Sequence, residues 1–202
     1  MENLNPLKKD EISILFIGRL EEYKGIRIFV EAVIQSIKTS KKNIHAIIVG
    51  SGTLYKEITE LCLSSGYSKN FSFIKNVPHE KIFYFHDISD IYVSTNQDGN
   101  LSNANLEAIS SNDCMIIPYP RKKDLIDMKT SSLLGDSVLH YEIDSTEDLK
   151  NKILSLVENP QMIRKMKEKV SQKKIKFLKT WDARVGEEMD ILKKNYIKKH
   201  VT

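Results

Sequence analysis

The stretch Ile12-Ser13-Ile14-Leu15-Phe16-Ile17-Gly18-Arg19-Leu20-Glu21-Glu22-Tyr23-Lys24-Gly25 decides the fold. Ile12 to Ile17 is an almost unbroken apolar run of strand length, the pattern of a strand covered on both faces. Gly18 ends the run and a polar turn follows. From Gly25, apolar residues recur at Ile26, Phe29, Val30, Val33, Ile34 and Ile37, the spacing of a helix with one buried stripe.

The same strand–loop–helix unit recurs outward from there. Further apolar runs lie at Ile44–Val49, Phe71–Ile74, Ile91–Val93, Met115–Ile117 and Val138–Tyr141. Between them, helical spacing is read over Leu54–Leu63, His79–Phe85, Asn103–Ser110 and Thr146–Val157, the last opening on a capping signal, Ser145-Thr146-Glu147-Asp148. Asn159-Pro160 precedes a long helix to about Phe177, and a last helix is expected from about Trp181 to Ile197. Strands alternating with helices predict a doubly wound α/β fold: a parallel sheet of about six strands, helices on both faces, and extra C-terminal helices. Such sheets take ligands at the carboxyl ends of their strands, which directs attention to the loops after strands one, two, four and five.

Composition agrees with a folded domain. The chain has 202 residues, 41% hydrophobic and 29% charged, which excludes a disordered or collagen-like polypeptide. No apolar run reaches transmembrane length, and Met1 to Pro6 lacks the basic and apolar regions of a signal peptide. The expected location is therefore cytoplasmic. Cys62 and Cys114 sit in apolar segments and read as buried thiols, not a disulfide framework. The net charge of +4 is uneven: residues 1–160 carry 18 Lys and Arg against 22 Asp and Glu, whereas residues 161–202 carry 13 against 5. That basic block reads first as a solvated helical face. It also leaves open a weak, peripheral contact with an anionic membrane surface.

Three loops carry candidate chemistry. In the first, Arg19 and Lys24 bracket the turn after Gly18, so a planar fork of donors and a point charge can meet one anion at a helix N-terminus. In the second, Gly50 and Gly52 permit close backbone approach. The third, Asp98-Gly99-Asn100-Leu101-Ser102-Asn103-Ala104-Asn105-Leu106-Glu107, is polar, then helical. It places Glu107 about one turn inside, where a carboxylate can accept from vicinal ribose hydroxyls. The five histidines show no ligand spacing with the cysteines, so neither a metal site nor a cofactor is expected. Asp124 and Asp127 read as solvated and His86-Asp87 as a helix end. Scattered Tyr23, Tyr92 and Tyr119 make no stacking platform for nucleic acid.

Taken together, these segments resemble the C-terminal, donor-binding domain of GT-B glycosyltransferases, specifically the large retaining group 1 family (family 4). The resemblance runs through ILFIGRLEEYKG (14 to 25), HAIIVGSG (45 to 52), FSFIKNVPHEKIFYFHDISDIYVSTN (71 to 96), NLEA (105 to 108), MIIP (115 to 118) and Trp181-Asp182-Ala183-Arg184. It implies a nucleotide-diphosphate sugar as donor. Arg19 and Lys24 would act as catalytic cations on the diphosphate, Glu107 would bind the ribose, and Ile74 to Val77 would line the base. Gly18, Gly50, Gly52, Asp98, Gly99, Asn100, Leu101, Ser102 and Asn103 would complete the donor site. The family's first glutamate, counted back from Glu107, falls on Gly99, and Asp98 is the nearest acid.

The resemblance further implies a nucleotide-sugar-binding domain over residues 12–178, after a linker of residues 1–11. A crossover helix would fill 179–202 and pack, through Trp181, Val185, Met189, Leu192 and Tyr196, on an N-terminal domain or a second copy. The expected function is hexosyl transfer with retention in cell-surface polysaccharide or glycolipid synthesis, with this half inactive alone. The alternatives are a non-catalytic GT-B-like binding or regulatory domain, and a fragment of a sugar-nucleotide epimerase.

Overall fold

A computed structural model of the protein describes residues 10–97, 101–121, 126–175, 186 and 189–191. Six strands, β1 Glu11–Ile17, β2 Asn43–Val49, β3 Phe71–Ile74, β4 Ile91–Val93, β5 Cys114–Pro118 and β6 Leu139–Tyr141, form one sheet. Every pairing is parallel and the order is β3-β2-β1-β4-β5-β6, so the direction of winding reverses between β1 and β4. All six predicted strands are present, within one or two residues at their ends.

Alternation along β1 explains the two layers of core. Ile14 and Phe16 point to one face, into a cluster with Phe29, Val33, Ile48, Ile58 and Ile153. Leu15 points to the other, with Ile47, Tyr92, Met115, Ala108 and Val170. The first face is covered by α1 Ile26–Thr39, α2 Tyr55–Ser64 and α6 Thr146–Val157; the second by α3 Ile82–Asp87 and α4 Asn103–Ser110. The long α7, Pro160–Lys174, starts in the first cluster through Ile163 and Met166 and ends in the second through Val170. A sheet buried on both sides has no face for polar side chains, which is why its strands read as continuous apolar runs.

The helix starts follow local chemistry. Ser145 Oγ accepts from Asp148 N (3.1 Å), Ser102 Oγ from Asn105 N (3.2 Å) and Asn159 Oδ1 from Met162 N (3.2 Å), with Pro160 at the first helical position. The expected helix over 79–85 divides into a 3-10 turn, His79–Lys81, and α3. One helix was not anticipated: α5, Met128–Leu134, whose sequence MKTSSLL lacks helical apolar spacing.

Two polar residues are buried against expectation. Asp127, read as solvated, is 0% exposed, while Asp124 lies outside the described residues. His86 is buried against Asp113 and is more than a helix end. Cys62 and Cys114 are buried and free. Of the expected final helix only residue 186 and residues 189–191 are described, and these are helical; Trp181, Val185, Leu192 and Tyr196 lie outside the described residues. No helix among the described residues is long and apolar enough to cross a membrane.

Candidate functional site

The reversal of winding between β1 and β4 opens a crevice at their carboxyl ends, and the first loop is built into it from both sides. On the β2 side, Gly18 N donates to Val49 O and Leu20 N to Ser51 O, both at 3.0 Å, and Leu54 N returns a bond to Leu20 O at 3.0 Å. Gly50 (φ +142°) and Gly52 make this pairing possible. A β-carbon on Gly50 would overlap Gly18 O, and one on Gly52 would overlap Leu20 O. Glu21 ties the loops together, accepting from Thr53 N (3.1 Å) and Thr53 Oγ1 (2.5 Å), bonds that hold its carboxyl below the usual range.

On the β4 side, Thr95 Oγ1 donates to Lys24 O at 2.8 Å and Gln97 N to Tyr23 O at 3.0 Å. Gly25, at φ +64°, turns the chain into α1 directly against Thr95 O, where a β-carbon has no room. The result is a rigid turn that presents two cations. Lys24 Nζ is aimed at Asn96 Oδ1 (2.7 Å), and exposed Arg19 and half-buried Lys24 both flank the Tyr23 ring, at 5.5 and 5.1 Å from its centroid.

These cations open on a cavity of about 460 Å³. Gly18, Arg19 and Lys24 form one wall; Val77 and His79, from the loop after β3, form another; Ser102, Asn103 and Glu107 close it at the head of α4. The α4 terminus brings first-turn amides and the positive end of a helix dipole to the same space. Glu107 is largely shielded, its side chain 12% exposed, with Oε1 3.4 Å from His79 Nδ1. Two cations, a helix head and a shielded carboxylate around one crevice can hold an anion at one end and donate or accept at a diol at the other.

The structure thus brings together Gly18, Arg19, Lys24, Val77, Ser102, Asn103 and Glu107 from the sequence reading. Gly50 and Gly52 do not line the cavity; they buttress the first loop from behind. Leu101 (φ +48°) packs into the second core cluster and is not on the wall. Asp98, Gly99 and Asn100 lie outside the described residues.

Sequence reasoning missed His79, because the segment after strand three was followed only to Val77 and His79 was read as the start of a helix; its place just beyond Val77 was the available signal. It also missed a buried network behind the wall. Tyr92 OH donates to Asn105 Oδ1 (3.1 Å), Asn105 Nδ2 donates to Asp127 Oδ1 (2.9 Å) and Thr130 Oγ1 (3.2 Å), and Thr130 Oγ1 donates to Asp127 Oδ1 (2.8 Å). Burial pushes the Asp127 carboxyl up to about 6 against the pull of these bonds and of Lys24. No local pattern announces it. Among the described residues no three His, Cys, Asp or Glu side chains gather as a metal site would need.

The sheet order and the crevice define a Rossmann-like α/β domain of the GT-B type. The chain belongs to the glycosyl transferases group 1 family, whose model matches residues 2–174. An uncharacterized glycosyltransferase of Methanocaldococcus jannaschii is 30% identical over 155 residues, which are 75% of this chain and 37% of that protein. The chain therefore spans little more than a third of the curated relative it matches. Among solved structures, the C-terminal domain of a glycosyl transferase group 1 family protein (LpcC) from Francisella tularensis superposes with a TM-score of 0.70 at 19% identity, over 82% of this chain and 85% of that one. S. aureus TarM, solved with fondaparinux, alpha-GlcNAc-glycerol and UDP, gives a TM-score of 0.74 at 18% identity, over 93% of this chain and 36% of that one. At such identities the likeness to these two structures speaks for the fold.

Proposed function

We propose that this chain is the C-terminal, donor-binding half of a retaining family 4 glycosyltransferase and that it holds a nucleotide-diphosphate sugar in the cavity above β1 and β4. The observation that carries this reading is convergence: Arg19, Lys24, the head of α4 and Glu107 reach one space from segments far apart in the chain. UDP in the TarM complex is the kind of ligand such a space would take.

On this reading Arg19 and Lys24 grip the diphosphate, with the first-turn amides near Ser102 and Asn103 as further donors. Glu107 accepts from the ribose hydroxyls, Val77 flanks the base, and Asp98 takes the place of the family's first glutamate beside the sugar, with Gly99 and Asn100 next to it. As the sugar leaves, negative charge grows on the diphosphate. Cations and amides already in place stabilise it without reorganisation, which is the main source of rate in such chemistry. The acceptor and the remaining catalytic groups belong to a second, N-terminal domain. Residues 12–178 form the donor domain, 1–11 a linker and 179–202 a helix crossing to that domain or to a second copy. The setting is hexosyl transfer in cell-surface polysaccharide or glycolipid synthesis, at the cytoplasmic face of a membrane.

Calorimetric titration with UDP-glucose, GDP-mannose and ADP-glucose tests the reading. Binding of one of them, weaker for its free nucleoside and without sugar transfer by this chain alone, is the expected result. Absence of binding to all three would overturn it.

A further inference from the structure

We propose that Asp127 is a buried counter-charge to the anion-binding cations and takes up a proton when a nucleotide sugar enters the cavity. The inference rests on the donor reading above and adds to it a proton-linked regulation of that site. The geometry is that of a carboxylate placed directly behind the cavity wall. Asp127 is fully buried at the start of α5, in left-handed backbone (φ +45°). Its Oδ1 is held by Asn105 Nδ2 and Thr130 Oγ1, whereas Oδ2 is buried with no hydrogen-bond partner among the described residues. Asn105 stands in the first turn of α4, between Asn103 and Glu107 on the wall, and it also receives Tyr92 OH, whose ring is part of that wall. Two side chains in series, Tyr92 on the wall and Asn105 behind it, therefore link the ligand space to Asp127.

A carboxylate with one oxygen unsatisfied in the interior is costly, and it persists as an anion only through compensation. The hydrogen bonds from Thr130 and Asn105 supply part of that compensation, and the positive charge of Lys24 adds to it. Among the described residues, the other charged or titratable groups around Asp127 do not help. Tyr92 on β4 and Tyr141 on β6 are neutral phenols pushed up by burial and by Asp127 itself, and Glu107 on α4 and Asp144 after β6 are anions. On α7, Lys173 acts on Asp136 and Lys174 donates to Ser110 O. A diphosphate bound at Lys24 would cancel that cation's share of the support and bring its own negative charge towards Asp127, so the carboxyl becomes more basic and draws a proton from solvent. By linkage, donor affinity then falls as pH rises through the titration of Asp127. Burial already brings that titration to about 6, within the range where this matters.

The test is calorimetry of UDP-glucose, GDP-mannose and ADP-glucose binding to the full chain, in pairs of buffers of different ionisation enthalpy. Both phosphates of a nucleotide sugar are esterified, so the ligand itself does not titrate near neutrality. If binding makes the Asp127 carboxyl about tenfold more basic, uptake at pH about 6.5 is about half a proton, and affinity is about tenfold weaker at high than at low pH. Asp127→Asn keeps the acceptor for Asn105 and Thr130 but cannot ionise, so it should bind without uptake and with a flat pH profile. Wild-type binding with no proton uptake would overturn this inference and leave the donor reading intact. Uptake that survives in Asp127→Asn and vanishes in His79→Gln assigns the proton to His79 and also overturns it. A wild type that binds none of the three sugars removes the donor reading and this inference with it.

Discussion

Gly50 faces the carbonyl oxygen of Gly18 so closely that no β-carbon fits between them. The contact lets the loops after β1 and β2 run side by side, with Gly50 N bonded to Ile74 O at 2.9 Å and Gly18 N to Val49 O at 3.0 Å. Gly50→Ala must therefore part the loops and strain a φ of +142°. Its expected cost is about 2–4 kcal/mol of unfolding free energy, with loss of anion binding because the first loop moves. Gly66 offers the control: its φ is +82°, but among the described residues nothing beyond its own chain neighbours lies within 4 Å of its β-position. Gly66→Ala should cost only about 1 kcal/mol. Urea denaturation of both variants checks the contrast, and equal costs would mean that strain in φ, not the loop contact, dominates at Gly50.

A buried pair ties the far end of the sheet. His86 Nδ1 lies 2.6 Å from Asp113 Oδ2, both side chains almost wholly buried, and the bond fastens the end of α3 to the turn between α4 and β5. Burial pushes the Asp113 carboxyl up, and His86 opposes that. Removing either partner strands the other in the core, so His86→Ala and Asp113→Ala should each cost about 3–5 kcal/mol. The double variant should cost less than the sum, with a coupling of about 1–3 kcal/mol in a denaturation cycle. Strict additivity would mean that the two groups do not support one another.

The fold was legible because its strands are buried on both faces: runs such as Ile44–Val49 leave no other reading, and β1 to β6 all follow. The wall of the cavity was legible for a related reason, since Arg19 and Lys24 stand in the loop after β1 and Glu107 in the helix that follows the loop after β4. What could not be read is what tertiary contact alone decides. MKTSSLL carries no stripe, so α5 forms by docking, not by pattern. Asp127 follows Ile126 and precedes Met128, and nothing local distinguishes an exposed aspartate there from one that Asn105 and Thr130 hold in the core. Gly50 and Gly52 drew attention as ligand-approaching glycines, but the backbone they approach is their own first loop.

The two cations should differ in how salt affects them. Arg19 is exposed, whereas Lys24 is partly buried and hydrogen-bonded to Asn96. On the donor reading, Arg19→Ala and Lys24→Ala each weaken nucleotide-sugar binding by about 1.5–3 kcal/mol, the range of a charge-assisted hydrogen bond, and leave the free nucleoside almost unchanged. Raising ionic strength should erode the Arg19 contribution first, because exposed charges are screened most. Titrations at two salt concentrations measure this. Equal loss for nucleoside and nucleotide sugar would mean that the cations act on the fold and not on the diphosphate.

Asp127 also makes a prediction that needs no ligand. Its carboxyl titrates at about 6 in the folded protein because burial opposes its charge. In the unfolded chain it should titrate at about 3.9. Between those values the native state binds the proton and the unfolded state does not, so stability must fall as pH rises. The contribution is fully present below the unfolded value and lost once pH passes the folded one. The difference between the folded and unfolded titrations corresponds to about 2–3 kcal/mol for a side chain this deeply buried. Asp127→Asn cannot ionise, yet it keeps an oxygen to accept from Asn105 Nδ2 and Thr130 Oγ1. The variant should therefore gain on the wild type by that amount as pH is raised from about 4 to about 7.5. The other carboxylates contribute to both curves and cancel in the difference. Urea unfolding of the two proteins across this range gives the answer directly, and parallel curves would show that Asp127 is ionised throughout, its charge supported from within the fold.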